Sequence, residues 1–172
     1  MTQRMRAAPR IVWTALLLVS LVHCASPGAD TPAACTLRQA DALLAAGDYA
    51  AARDAYESVL RAEPGGPEAL YGRGRARAGM SDLAGAMRDY DEALREAGRA
   101  LLRSARPGAE GGYADRERAR AMSRLIVEIR VARGLVREAE GDMPGAREDF
   151  EEARRINAQQ ADEAIRKTRG GA

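Results

Sequence analysis

Between residues 68 and 94 the apolar side chains return at steps of three and four. Leu83, Ala86, Met87, Tyr90, Ala93 and Leu94 lie on one face of a helical wheel, the signature of an amphipathic helix. Upstream, Leu70, Gly74 and Arg77 share a stripe, with small Ala76 and Ala78 beside it. Gly79-Met80-Ser81-Asp82 separates the two patterns and predicts a tight turn. Gly74 and Ala86 are small residues midway along each predicted helix, which lets two backbones approach closely. A lone helical hairpin cannot bury its apolar face, so neighbours of the same kind are expected.

They occur. Gly47-Asp48-Tyr49 is followed by Ala52, Tyr56, Val59 and Leu60; Ser81-Asp82-Leu83 by Ala86, Tyr90, Ala93 and Leu94; Gly141-Asp142-Met143 by Ala146, Phe150 and Ala153. The shared offsets are an alanine five residues past the turn residue and an aromatic nine past it. The first two turns are 34 residues apart. Ala40, Gly74 and Gly134 supply a small residue at the matching place in each preceding helix, and Pro64 ends the first unit. On these residues the chain resembles the tetratricopeptide repeat family. The resemblance implies an all-α solenoid of three helix-turn-helix repeats, at about residues 33–66, 67–100 and 127–160. Asp48, Asp82 and Asp142 are expected as helix N-caps, and the remaining acids as solvated faces.

The third turn lies 60 residues after the second, which leaves an insertion at about 101–126. Leu101, Leu102 and Ala105 continue one helical pattern; Met122, Leu125, Ile126 and Ile129 begin another. Pro107-Gly108 and Gly111-Gly112 are breakers. We therefore expect an extended hairpin between repeats 2 and 3, tipped by residues 107–114 with Tyr113 in the loop. Residues 159–169, with Ala161, Ala164 and Ile165 inward, are expected to form a C-terminal capping helix. The repeat domain as a whole spans 32–169.

The chain's formal charge of +2 comes from its first ten residues, where Arg4, Arg6 and Arg10 meet no acid; the remainder is close to balanced. Ile11–Val22 is an uncharged run too short to span a bilayer and matches the apolar core of a secretory signal, residues 1–23. Leu21-Val22-His23-Cys24 resembles the lipobox of bacterial lipoproteins, although His23 stands where that motif carries a small residue. The resemblance implies lipidation of Cys24, a tether over 24–31 and a membrane anchor; cleavage without lipid and an uncleaved anchor are the alternatives. Export, to a bacterial envelope, is expected.

Candidate chemistry is sparse. The one histidine, His23, lies in the signal, so histidine-dependent triads and histidine metal sites have no residue to use. Cys35, early in the first helix, is expected as a packed or partly exposed thiol. The glycines of YGRGRARAG fall in a helix with no preceding strand, unlike a phosphate loop. Arginines alternate with acids, which disfavours nucleic acid. No enzyme activity, cofactor or metal is expected. The family resemblance implies a groove lined by the first helix of each repeat: Leu37, Asp41 and Leu44; Glu68, Tyr71, Arg75 and Ala78; Val131, Leu135 and Glu138. The expected function is a protein–protein interaction or scaffold module that holds a peptide or helix in this groove, with Tyr71 and Arg75 as anchor pair. A structural spacer or self-associating subunit is the alternative. The oligomeric state and the partner are not legible.

Overall fold

The computed structural model describes residues 32–104 and 112–170. The signal, Cys24, the tether and residues 105–111 of the hairpin tip lie outside the described residues. Six helices follow one another: α1 (Pro32–Ala45), α2 (Tyr49–Ala62), α3 (Pro67–Gly79), α4 (Leu83–Ser104), α5 (Tyr113–Ala139) and α6 (Met143–Arg169). Among the described residues there is no strand, and the architecture is an all-α solenoid.

Each of the three short turns is built alike. A left-handed residue stands at Gly47 (φ 80°), Ser81 (φ 64°) and Gly141 (φ 86°). Glycine reaches that conformation without steric cost, so Ser81 is the strained member of the set. The aspartate that follows caps the next helix: Asp48 Oδ1 accepts from the Ala51 N–H at 3.2 Å, Asp82 Oδ1 from Gly85 at 2.9 Å, and Asp142 Oδ1 from Gly145 at 3.0 Å. Each bond satisfies an amide that the helix itself leaves unpaired.

Packing gives the stack its curvature. α1 touches α3 and α3 touches α5, whereas α2, α4 and α6 make no comparable contact with one another. The first helices therefore line the inner face. Ala40, Ala52, Tyr56 and Ala69 form one core cluster; Leu70, Ala86, Tyr90, Ala93, Ile129 and Val136 form the next. The small residues do the work expected of them. A β-carbon on Gly74 would lie 2.6 Å from Tyr90 Cε1, and one on Gly134 would lie 2.7 Å from Phe150 Cε1. Gly72 plays the same part between repeats, where its β-carbon would fall 2.3 Å from the Tyr56 ring.

Two elements depart from the short-helix pattern. α4 has 22 residues and α5 has 27, against 14 in α2, so the pair stands out beyond the stack as a long hairpin. Tyr113 is the first residue of α5 rather than part of the tip loop. α6 is broken at Asn157, whose φ of −156° and ψ of 101° are not helical. Its Oδ1 accepts from the Gln160 N–H at 3.0 Å, so Asn157 caps a separate last segment. That segment buries Ala161 and Ile165 against Val127 and Val131. Cys35 departs from expectation as well, since it is disulfide-bonded.

Candidate functional site

The inner face runs across α1, α3 and α5, and its side chains divide by what their neighbours leave uncovered. Leu44 is 7% exposed and Val131 2%; both belong to the core and leave the expected groove set. The reason is stacking. Leu44 lies in a cluster with Ala69 and Ala76 of α3, and Val131 lies under the last segment of α6. Leu135 packs into that same cluster, Leu37 against the first core and Ala78 against the second. Glu138 is taken by Arg169, whose Nη2 donates to both carboxylate oxygens at 3.0 and 2.7 Å.

What stays open is polar. Asp41, Glu68, Arg75 and Glu128 are exposed. Glu128 stands in repeat 3 where Glu68 stands in repeat 2, and sequence inspection passed over it. Asp41 Oδ1 accepts from the Tyr56 hydroxyl at 2.6 Å. Burial, helped by this bond to a carboxylate, raises the Tyr56 pKa. The Arg75 guanidinium lies over the Tyr71 ring, 5.6 Å from its centroid, within cation–π range. Tyr71 in turn meets Tyr90 with ring centroids 6.0 Å apart. Burial pushes the Tyr71 hydroxyl up to about 12; Arg75 pulls against that and Glu128 adds to it. Arg75 makes no ion pair among the described residues. The anchor pair of the sequence is thus one half-buried ring and one exposed cation resting on it.

Behind this face lie two charged clusters that the sequence reading missed. Asp89 is 2% exposed and Asp149 fully buried, although the acids outside the caps were expected on solvated faces. Arg73 grips Asp89 with two bonds, Nε to Oδ2 at 3.0 Å and Nη2 to Oδ1 at 2.7 Å. Arg77 adds Nη1 at 2.9 Å. In repeat 3 the same geometry recurs: Arg133 donates through Nε and Nη2 to Asp149, and Arg137 Nη1 donates to Oδ2 at 2.9 Å. Arg133 also reaches back to Asp91 of α4 at 2.6 Å, tying repeat 3 to repeat 2. The hydrogen bonds that Arg73 donates to Asp89 hold its pKa above the ordinary value. For Arg133 burial works the other way, and the bonds to Asp149 and Asp91 outweigh it. A signal was present: Arg73, Arg77 and Asp89 recur 60 residues later as Arg133, Arg137 and Asp149, the shift that relates the two turns. The first repeat has Gln39, Leu43 and Ala55 at those places, so all three charges are lost together.

These clusters fasten each first helix to its second and are closed to a ligand. Among the described residues no group of three or more His, Cys, Asp or Glu is placed to hold a metal, and no helix is long and apolar enough to cross a membrane. No curated protein matches the chain at a significant level. Residues 37–110, from α1 into the hairpin tip, match the family model of the tetratricopeptide repeat, whose fold is typically a non-catalytic module for protein–protein interaction. With the capped turns, the aromatic seated on a small residue and the inner face of first helices, that match identifies residues 37–110 as tetratricopeptide repeat.

Proposed function

We propose that this protein is a non-enzymatic scaffold at a bacterial cell envelope, anchored through a lipid on Cys24, that holds a segment of a partner protein along its inner face. The observation that carries the groove reading is the charge left open there. Three carboxylates, on Asp41, Glu68 and Glu128, flank one unpaired guanidinium, on Arg75. Such a face suits a mainly cationic peptide or helix that offers one acceptor to Arg75. Charge complementarity of this kind sets partner choice and encounter rate more than raw affinity. Aromatic and Arg side chains at the centre of the face suit an anchor.

A photo-crosslinker placed at Glu68 should trap one partner from intact envelopes. Arg75→Glu combined with Glu128→Lys, both exposed, should abolish the trapping while circular dichroism stays unchanged. A variant pair that folds and still traps the same partner would remove the inner face as the site.

Envelope residence is supported by the signal-like N-terminus and by the disulfide at Cys35, a bond that persists in oxidising compartments. The two features constrain each other. Cys24 is the chain's other cysteine, so within one chain a disulfide at Cys35 and a thioether lipid on Cys24 exclude each other, and a lipidated protein that kept the bond would have to form it with a second chain. Intact mass of the mature protein, with and without reductant, separates a lipidated, disulfide-linked dimer from an unlipidated monomer. The dimer would also favour the second reading, a self-associating subunit or spacer that uses its long hairpin.

A further inference from the structure

α5 and α6 are both 27 residues long, yet they run side by side over only about half that length. Arg137 Nη1 donates to the Gly145 carbonyl at 3.1 Å, and Phe150 seats against Gly134, so α6 starts antiparallel to α5. At Asn157 it leaves that track. The last segment turns back, with Gln160 Nε2 donating to the Arg124 carbonyl at 3.0 Å and Arg169 reaching Glu138. It therefore runs in the same direction as α5, and the track ahead of Asn157, along Tyr113 to Arg124, stays open.

The open track continues the face of α5 that already carries α6. Arg130, Arg133, Gly134 and Arg137 meet α6, and stepping back from them by three and four reaches Ser123, Arg120 and Arg116. A crevice of about 560 Å³ lies there, lined by Glu117, Arg120 and Ser123 on one side and by Ile156 and Asn157 on the other. Ile156 is 42% exposed. The charges along this track match those of the segment that turned away from it. Phe150 against Gly134 and Asp149 against Arg133 fix the antiparallel register to within a residue. Carried past Asn157, that register sets Glu163 opposite Arg120, Ala164 opposite Ala119 and Arg166 opposite Glu117. Glu117 and Arg120 form an ion pair one helical turn apart, at 2.7 Å. Glu163 and Arg166 have the same spacing, are exposed, and make no ion pair among the described residues. In an antiparallel pair the two dyads meet with opposite signs. Lys167 opposite Arg116 is the one like-charged match.

We propose that the first half of α5 is a second docking surface for the chain's own last segment, which reaches it when α6 runs straight through Asn157. In leaving the bent form, Ala161 and Ile165 part from Val127 and Val131, and Asn157 gives up the Gln160 amide. In return Asn157 becomes helical, Ile156 is covered and the two charged dyads meet. The bent form keeps Ile165 buried and is the resting state. Straightening uncovers Val131 and Leu135 and frees Glu138 from Arg169, and these are the residues that the family resemblance implied for the groove of repeat 3. The two docked states thus close and open the last face of the stack, as a two-state element biased by whatever binds that face. The exchange needs neither a lipid on Cys24 nor the partner proposed for the inner face.

Disulfide trapping in the full chain tests it. Cys24→Ser and Cys35→Ser leave only introduced thiols, and Ala119→Cys with Ala164→Cys places one on each side of the open track. In the bent form these two positions are about 15 Å apart at the helical rise, beyond the reach of a disulfide. Mild oxidation should nonetheless join them within one chain, as read by peptide mass. Asn157→Ala should speed the joining about fivefold, since it removes a cap of about 1 kcal/mol. Glu163→Arg should slow it about threefold, and adding Arg120→Glu should restore the rate. Glu138→Cys with Arg169→Cys is the control, because the bent form holds that pair together. A control that joins while 119 and 164 never do, with or without Asn157→Ala, overturns the proposal. A link between 119 and 164 of two different chains assigns the track to a second copy and overturns it as well. With the native cysteines in place, Asn157→Ala alone should slow amide hydrogen exchange over 116–124 about tenfold; unchanged exchange there overturns the proposal independently of the traps.

Discussion

A carboxylate taken from water into a helical stack is stable there only if its charge and its lone pairs are both met. Asp89 achieves this with two arginines arriving from the preceding helix and Asp149 with three, one of them bidentate in each case. Removing Asp89 alone leaves two guanidinium groups that are mostly shielded from water. Asp89→Ala should therefore cost about 3–5 kcal/mol in urea unfolding. The first repeat shows the neutral solution in the same fold. Arg73→Gln, Arg77→Leu and Asp89→Ala together copy Gln39, Leu43 and Ala55 and should recover most of that loss. A triple variant no more stable than the single one would mean that the clamp contributes net stability beyond neutralising itself. The turn aspartates are more exposed and are met chiefly by the amides of the helix N-terminus they cap, with Arg77 and Arg137 at 3.8 Å from Asp82 and Asp142.

At the scale of the element, α6 is the instructive case. The helical pattern of residues 143–169 is nearly continuous, and only Asn157 interrupts it. Its side chain captures the Gln160 amide, and the bend returns Ala161 and Ile165 to Val131. Asn157→Ala removes the cap, at about 1 kcal/mol, and lets α6 run straight. The expected outcome is faster amide hydrogen exchange over 160–166 with the first two repeats unchanged. Uniform protection throughout would show that packing alone holds the bend. The lengths of α4 and α5 were legible, since their apolar period continues past the repeat boundary. That Tyr113 is helical was not, because Gly111-Gly112 reads equally well as the middle of a loop or its end.

Across the whole molecule, three tyrosines couple the stack to pH. Tyr56, Tyr71 and Tyr90 each have a raised pKa, chiefly through burial. The folded state therefore favours the neutral phenol. The stability this represents is complete below the ordinary value of 10 and is lost as pH rises, for Tyr71 through about 12. Urea midpoints should be flat between pH 7 and about 9 and fall steeply above about 10. Tyr71→Phe should make that fall shallower, and an unchanged fall would show that Tyr71 contributes nothing to it.

The helices, their turns, their caps and the repeat register are written in residues close together along the chain. A 3.6-residue period, a left-handed turn residue and a capping acid act over one or two helical turns, so the sequence alone determined them. Which inner-face residues stay uncovered was decided only in three dimensions. Leu44 is closed off by α3 and Val131 by a segment that begins some 30 residues later, while Arg75 remains open on Tyr71. The same holds for charge. The turn before Asp82 marks it as a cap at a helix end, whereas nothing local marks Asp89, seven residues on, as the acid buried against two arginines from the helix before it. Short-range periodicity says that a side chain lies on a given face of its helix; only the neighbouring helix decides whether that face meets water, core or an opposite charge.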